Sequence, residues 1–225
     1  MIPLLSSFYF GGVEHYRLLA QYERVIIDTG EHYERQSYRT RSSIVGPNGR
    51  QDLVVQTARR SGEKLPMKTV GLSYDESWPQ QHIHAIRTAY GQTPWFIHYV
   101  DDIEATVLRQ YDRLVDLDLA TMRLGMKWLG LKTEVVVEEE YVVGSQLSVA
   151  GLPTRTADNR QPTTGNYLDL RNTLHPKKPL PTEVVQVPSY RQVFADRHGF
   201  VPRMSIIDLV CNCGPIALEH LRAGA

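Results

Sequence analysis

The sequence predicts a mixed α/β fold, with an α+β arrangement as the alternative. The first 28 residues have the pattern strand, glycine turn, helix, strand, which is typical of a βαβ unit with parallel strands and a right-handed crossover. The residues Gly46-Pro-Asn-Gly49 form a turn signal between two extended stretches, as in a β-hairpin. Amphipathic helical segments follow the hairpin, and a length of 225 residues fits one domain that covers 1–225.

The elements follow in order from periodicity and from start and stop signals. Strands are predicted where apolar or alternating residues run between turn signals, at 2–10, 24–28, 35–44, 53–55, 69–74 and 134–138. Helices are predicted where apolar residues recur at helical spacing, at 14–21, 77–90, 102–114, 118–129, 189–198 and 205–212, with a short one after Pro215. The predicted N-caps are Ser77, Asp101, Asp118 and Ser205, and Gly130 is a predicted helix stop.

Residues 144–189 differ from the rest of the chain because they contain six prolines and little periodicity. A loop of this length inside one domain is usually functional or disordered, so the stretch is predicted to be a lid or binding loop if it is ordered. Its segment Tyr167-Leu-Asp-Leu-Arg171 has the pattern of an ordered piece. Asp169 and Arg171 there could form either a charged clamp on a substrate or a salt-bridged strap that holds the loop down.

The overall charge is balanced, with 25 basic and 25 acidic residues. This balance argues against a dedicated nucleic-acid or membrane-surface binder, which normally carries a basic excess. No apolar run approaches the roughly 20 residues needed to span a bilayer, and the N-terminal residues lack the features of a signal peptide. The two cysteines and the scattered histidines form no recognisable ligand set, so no metal and no cofactor are expected. The expected location is the cytoplasm.

A basic stretch predicts an anionic ligand. Residues 31–60 contain six arginines and three acids. Alternation along the predicted strand at 35–44 places Arg35, Arg39 and Arg41 on one face, and planar guanidinium groups in a row suit a carboxylate or a phosphate. The competing interpretation is a solvated outer face of a hairpin, because most arginines are exposed. His82 lies at the edge of the buried stripe of its helix, where either packing or catalysis would fit.

An ordered series of motifs resembles the WbqC-like protein family across nearly the whole chain. The matching segments include Glu31-x-Tyr33-x-x-Gln36-Ser-Tyr-Arg39-x-Arg41, Asn48-Gly49, Trp78 to His82, Pro94-Trp-Phe96, Asp169-Leu-Arg171, Tyr190-Arg-Gln-Val-Phe194 and Asn212-x-Gly214-Pro215. The chain departs from the family pattern at Gly11-Gly12, where prolines are common, and at Ile83, where Trp is usual. Cys211 and Cys213 stand at positions usually filled by other residues, which argues against a thiol mechanism common to the family.

The resemblance implies a set of site residues. It selects His82, as general base, and Asp169 as catalytic residues. The substrate-binding residues that it selects are Glu31, Gln36, Tyr38, Arg39, Arg41, Asn48, Arg171, Tyr190, Gln192 and Asn212. These residues are expected to converge on one cleft whose floor is the hairpin.

The resemblance also implies a function. Some members are encoded among bacterial genes for lipopolysaccharide O-antigen or other surface polysaccharides, so the expected activity is a transferase of that biosynthesis. The implied reaction is acyl or aminoacyl transfer to an amino sugar or its nucleotide, with a small anionic substrate. One alternative is a non-catalytic binding or scaffold protein of polysaccharide assembly. Another is nucleotide binding or nucleotidyl transfer at the glycine turn of the βαβ unit, because such a turn at a helix start can seat an anion.

Overall fold

A parallel sheet of four strands and a separate antiparallel hairpin carry the fold of this computed structural model, which describes residues 1–58, 64–142, 167–180 and 187–223. The strands are β1 (Ile2–Leu5), β2 (Arg24–Asp28), β3 (Arg41–Gly46), β4 (Gly49–Val54), β5 (Glu134–Glu138) and β6 (Tyr167–Asp169). The helices are α1 (Val13–Gln21), α2 (Trp78–Tyr90), α3 (Val100–Val107), α4 (Leu114–Leu129), α5 (Ala195–His198), α6 (Ile206–Cys213) and α7 (Ala217–Arg222).

The predicted mixed α/β class is confirmed, and so is the parallel βαβ unit at the start of the chain. β1 pairs in parallel with β2, with Leu4 opposite Ile26, and α1 makes the connection. The order across the main sheet is β5-β2-β1-β6, and all its pairings are parallel. The chain therefore builds outward from β1 through β2 to β5 and then returns to the other side of β1. In such sheets ligands bind outside the carboxyl ends of the strands where the order reverses, which here is between β1 and β6.

The loop between β1 and α1 fixes the hairpin and α6 against the main sheet. The amide of Phe10 donates to the hydroxyl of Thr121 in α4 at 3.0 Å. The carbonyl of Phe10 accepts from Ser42 in β3 at 2.9 Å and from Ser205, just before α6, at 3.0 Å. Phe10 is held at a φ of 39°, which is costly for a bulky residue and persists only because its neighbours hold it there.

Several predicted elements are confirmed. The turn at 46–49 joins β3 to β4, with Gly46 opposite Gly49. Gly130 ends α4 at a φ of 64°, and the hydroxyl of Ser205 accepts from the amide of Ile207 at the start of α6. Ser77 precedes α2 as expected, although its side chain makes no capping hydrogen bond.

Other predicted elements are wrong. The strand predicted at 35–44 begins only at Arg41, because Gln36 adopts a φ of 56° and turns the chain before it. The stretch 69–74 forms a 3₁₀ turn and isolated bridges instead of a strand. The strand predicted at 2–10 ends at Leu5. α4 begins at Leu114, so Asp118 lies inside the helix and caps nothing.

Further corrections concern the helix bounds and the proline-rich stretch. α3 begins after Tyr99 and ends at Val107, and the helix predicted at 189–198 is reduced to Ala195–His198. Most of 144–189, predicted as a lid or binding loop, lies outside the described residues. Its described parts are β6, the segment 170–180 and residues 187–189, and β6 is a member of the main sheet. Among the helices of the described ranges, none combines the length and the apolar character needed to cross a bilayer.

Candidate functional site

The carboxyl edge of the main sheet carries a buried cluster of charged residues. β1 is followed by Ser6, β2 ends in Asp28 and leads to Glu31, and β6 ends in Asp169 and leads to Arg171. Because these parallel strands end at the same edge, their following residues are brought together although they lie up to 165 positions apart. We call this set, with Arg39, the edge cluster.

Arg39 is paired with Glu31 in the interior. The Nε and Nη2 atoms of Arg39 donate to the two carboxylate oxygens of Glu31 at 2.9 and 2.7 Å. The side chains are 2% and 5% exposed, so this is a bidentate pair shielded from water. Nη2 also donates to Ser6 at 2.8 Å, and Nη1 lies 3.4 Å from the hydroxyl of Ser37. The guanidinium of Arg39 therefore donates to other groups of the protein, and it does not face an open cleft.

Arg171 is paired with the ends of two strands. Its Nε donates to Asp169 at 2.9 Å, and its Nη1 donates to Asp28, which is fully buried. Nη1 also donates to the carbonyl of Val142 at 3.0 Å. The carbonyl of Arg171 accepts from Ser6 at 3.0 Å, and Ser6 lies 3.1 Å from Glu31, so this one hydroxyl joins the two ion pairs.

Carboxylates outnumber guanidinium groups in the edge cluster, and burial changes the pKa of these carboxyl groups. Burial raises the pKa of Asp28 and of Glu31, and the attraction of Arg171 and Arg39 opposes part of each shift. Asp118 lies at the same edge, where it accepts from Ser7 at 3.2 Å while its Oδ1 has no hydrogen-bond partner within the described ranges. Burial holds the pKa of Asp118 well above its ordinary value, so a proton is favoured on this carboxyl.

Two loops leave the carboxyl edge on either side of β1 and meet above it. The loop after β2 contributes Glu34 and Gln36, and the segment after β6 contributes His175 and Lys177. The ammonium group of Lys177 donates to the side-chain oxygen of Gln36, and Nε2 of His175 lies 3.7 Å from a carboxylate oxygen of Glu34. Arg203 fastens the second loop by donating to the carbonyls of His175 and Lys178 at 2.6 and 2.7 Å.

A polar pocket of about 250 Å³ lies beside Gln36, at the base of the hairpin. The described residues that line it are Tyr33, Arg35, Gln36, Thr40, Arg41, Val54, Val55, Gln56 and Thr57, and they include two arginines and no acid. Arg41 is half-buried and donates to Asp52 at 3.1 Å, while its Nε is buried and has no hydrogen-bond partner among the described residues. The pocket therefore offers guanidinium hydrogen-bond donors to a ligand, and the ion pair with Asp52 offsets part of the charge of Arg41.

His82 lies in the core and not at the edge cluster. It is 4% exposed, its Nδ1 is 3.0 Å from the hydroxyl of Tyr9, and its ring lies 5.1 Å from that of Trp78. Burial lowers the pKa of His82 to about 4. Such an imidazole is neutral at pH 7, and His82 is not among the residues that line the polar pocket beside Gln36.

Three predicted substrate-binding residues gather instead around Asp208 in α6. The carboxylate of Asp208 accepts from Tyr190 at 2.5 Å, from Gln192 at 2.8 Å and, through its other oxygen, from Tyr90 at 2.8 Å. Asn212 donates to the Asp208 carbonyl at 2.7 Å. Burial raises the pKa of Asp208, and these donors oppose the shift. We call this set the Asp208 cluster.

The predicted site residues are thus not brought together in one cleft. Glu31, Arg39, Asp169 and Arg171 form the edge cluster, with Gln36 and Arg41 at the polar pocket beside it. The remaining three are placed separately. Tyr38 is buried with its ring 5.7 Å from Phe8, Asn48 is exposed at the hairpin tip, and His82 lies in the core.

A model of the WbqC-like protein family matches residues 7–220, which is almost the whole chain and includes the Asp208 cluster and every residue of the edge cluster except Ser6. The chain belongs to the WbqC-like protein family. No curated protein and no solved structure shows significant similarity to it.

Sequence reasoning missed several residues of this WbqC-like chain that hold the clusters together. The sequence places Ser6 inside the strand predicted at 2–10, Asp118 at a predicted N-cap, and Asp208 in the first turn of the helix predicted at 205–212. A usable signal exists for the first cluster, because Ser6, Asp28 and Asp169 each stand at the carboxyl end of a strand in the parallel sheet. No local pattern marks Asp208, whose donors come from positions 90, 190 and 192.

Proposed function

We propose that this WbqC-like chain is a transferase of bacterial surface-polysaccharide biosynthesis, which moves an acyl or aminoacyl group onto an amino sugar or its nucleotide. The supporting observation is that two loops from the carboxyl edge meet across β1, next to a polar pocket that the described residues line with two arginines and no acid. This is the position at which parallel α/β sheets hold their ligands. The family resemblance supplies the reaction class, and the guanidinium donors of the pocket support the preference for an anionic substrate.

The residues have separate roles in this proposal. Arg41 and Gln36 bind the anionic group of the substrate in the polar pocket, with Lys177 at its rim. The pair of Glu31 and Arg39 holds the loop that presents Gln36. Asp169 is the proposed general base. Two carboxylates pair with Arg171, and only a base that is open to solvent can reach a substrate. The side chain of Asp169 is 10% exposed, whereas that of Asp28 is 0% exposed.

The structure does not favour the nucleotidyl-transfer alternative at the start of α1. The amide of Val13 donates to the carbonyl of Met204 at 2.9 Å, and Gly12 pairs with Ser205. The side chain of Glu14, 3% exposed, lies in the first turn of α1, where its own backbone amide is a donor to it. A phosphate would have to displace this carboxylate, since both compete for the same positive end of the helix.

Binding of an amino-sugar nucleotide tests the proposal, with UDP-glucosamine and inorganic pyrophosphate as probes in isothermal titration calorimetry. Arg41→Gln is expected to weaken binding about tenfold or more, because a charge-assisted hydrogen bond contributes roughly 1.5–3 kcal/mol. The control Arg113→Gln removes an arginine from an exposed ion pair with Asp116 and should leave the affinity unchanged. Equal affinities for the two variants would exclude Arg41 from the site.

Transfer itself is checked by mass spectrometry of UDP-glucosamine incubated with the protein and an acyl or aminoacyl donor. A product with the added mass of the acyl group is expected from the unaltered protein, with less from Arg41→Gln. Tight binding of the nucleotide without any product from any donor would instead support the non-catalytic binding protein.

A further inference from the structure

The hydrogen bonds of β3 fix which backbone groups of the hairpin point outward. Ser43 of β3 lies opposite Asp52 of β4. The carbonyl of Ser43 accepts from the amide of Ser205 at 2.7 Å, so the backbone groups of this pair point away from the ladder. Val45 lies opposite Arg50, and its amide also leaves the ladder, since it donates to a tyrosine hydroxyl of α2 at 3.2 Å. Because the two kinds of pair alternate in an antiparallel ladder, the backbone groups of Arg50 and Asp52 point away from β3.

The outer edge of β4 is therefore open at Arg50 and Asp52. Both residues are exposed, and within the described residues their amides and carbonyls make no hydrogen bond. The same edge is closed further along the chain, where the carbonyl of Gln56 accepts from the amide of Ser73 at 3.0 Å. Unpaired amides and carbonyls at the edge of a sheet form a template for one further strand.

A second copy of β4 fits this template in one antiparallel register. When Gln51 lies opposite the same residue of the copy, Arg50 lies opposite Asp52 of the copy, and Asp52 lies opposite its Arg50. The outward backbone groups of both chains then face each other at hydrogen-bonding pairs. The contact has a two-fold axis at Gln51, as in the isologous interface of a dimer.

The charges of the edge select this register. A shift along the edge to the neighbouring registers places Arg50 opposite Arg50, or Asp52 opposite Asp52. Like charges opposite each other destabilise a strand pair, whereas opposite charges stabilise it. The side chains of Arg50 and Asp52 are 38% and 32% exposed, so a second chain can reach both of them.

A groove of about 510 Å³ between β4 and α2 lies on the same side of the hairpin as Gln51. The described residues that line it include no carboxylate and no basic chain of Lys or Arg, and they are Gln51, Gln80, Gln81, His84, Ala85 and Thr88. Residues that lie opposite each other in an antiparallel pair share one face of the sheet, so the two α2 helices would lie on the same face. Amide and hydroxyl groups both donate and accept hydrogen bonds, so this surface can face an identical one.

We infer that the chain forms a two-fold dimer through the β4 edge, with Arg50 of each copy opposite Asp52 of the other. Backbone hydrogen bonds join the two hairpins into one four-stranded sheet, and the reciprocal ion pairs fix the register. The inference concerns assembly and goes beyond the proposed transferase reaction. It does not depend on that reaction, since the edge can pair whether or not the polar pocket holds a substrate.

Sedimentation velocity of the full chain over a range of concentrations tests the charge pairing. The unaltered protein is expected to show a monomer–dimer equilibrium. Arg50→Asp and Asp52→Arg should each weaken the dimer about tenfold or more, because each places like charges at both pairs. An equimolar mixture of these two variants should restore the dimer, since every pair is then of opposite charge. The control Arg113→Asp reverses an exposed arginine of another ion pair and should leave the dimer unchanged.

A disulfide across the two-fold axis tests the register without altering Asp52, so it decides the question even where Asp52→Arg fails to fold. Residues at a non-hydrogen-bonded pair have Cα atoms about 4.5 Å apart, within the range of a disulfide. Gln51→Cys is therefore expected to give a covalent dimer on mild oxidation, read on a non-reducing gel. Gln92→Cys, at an exposed glutamine away from this edge, is the control, and the native Cys211 and Cys213 are buried.

Two results would overturn the inference. One is cross-linking of Gln51→Cys that is no greater than that of Gln92→Cys. The other is a mixture of Arg50→Asp and Asp52→Arg, both folded by circular dichroism, that associates no more tightly than either variant alone. An unaltered protein that stays monomeric at every concentration would refute the dimer outright.

Discussion

The buried guanidinium of Arg39 has its donors directed at Glu31 and Ser6. Both ions of the pair have lost their water, and this desolvation is offset by two short parallel hydrogen bonds and by the extra bond to Ser6. Removing one partner leaves the other charge buried without compensation. A buried pair of this kind is therefore far more sensitive to a single substitution than a pair at the surface.

Glu31→Gln is expected to lower the free energy of unfolding by about 3–5 kcal/mol, the cost of leaving one buried charge unpaired. Urea unfolding followed by circular dichroism measures the change. Arg24→Gln is the matched control, because Arg24 forms the same bidentate pair with Glu134 at side-chain exposures of 51% and 57%. That substitution should lower the free energy of unfolding far less, because solvent screens an exposed pair. Similar decreases in the free energy of unfolding for both variants would show that the pair of Glu31 and Arg39 is not shielded from water.

At the scale of the elements, α1 and α4 are joined by a close contact between Tyr16 and Gly125. The hydroxyl of Tyr16 donates to the carbonyl of Thr121 at 3.2 Å, which places its ring directly over Gly125. A Cβ atom at position 125 would lie 2.6 Å from Cε1 of Tyr16, and real Cβ atoms essentially never come that close to another atom. Glycine is thus required here by packing and not by the backbone conformation.

Gly125→Ala is therefore expected to destabilise the protein by roughly 1–3 kcal/mol, the usual cost of overpacking. The sign of the change in stability is informative, because the same substitution in an unconstrained helix stabilises it by about 1 kcal/mol. Thermal unfolding and urea unfolding both measure this change in stability. Arg123→Ala, at an exposed position of the same helix, should change stability little. A more stable Gly125→Ala protein would mean that α1 can move away from α4.

The elements that the sequence predicts well are those with local causes. An apolar run predicts β2, apolar residues at helical spacing predict α2, and the cap at Ser205 predicts α6. Each of these patterns lies within a few neighbouring residues. β6 has only three residues and owes its strand to pairing with β1, far away in the chain. The stretch before Arg41 alternates like a strand, but Arg39 turns inward to Glu31 and Gln36 takes a positive φ. The single predicted cleft fails for the same reason, since tertiary contacts decide which side chains meet.

At the scale of the whole molecule, the pH dependence of stability is set by buried groups that act in opposite directions. Burial lowers the pKa of His15 and His82 to about 4, so their neutral forms are favoured in the folded state. Burial raises the pKa of five carboxyl groups, those of Glu14, Asp28, Glu31, Asp118 and Asp208. As the pH falls, the carboxyl groups take up protons more readily in the folded state and stabilise it, whereas the histidines take them up more readily in the unfolded state.

The contribution of one histidine can be isolated by comparing the unaltered protein with His82→Gln at several pH values. Above pH 6.5 the imidazole is neutral in both states and adds no pH dependence; between pH 6.5 and about 4 only the unfolded state binds the proton. In that window the unaltered protein should lose up to about 1.4 kcal/mol of stability per pH unit relative to the variant. Glutamine does not titrate, and it can still contact Tyr9. The carboxyl groups are present in both proteins, so their contribution to the pH dependence cancels when the two unfolding free energies are subtracted. A difference in unfolding free energy that stays constant from pH 7 to 4.5 would mean that His82 is protonated as easily in the folded protein as in the unfolded chain.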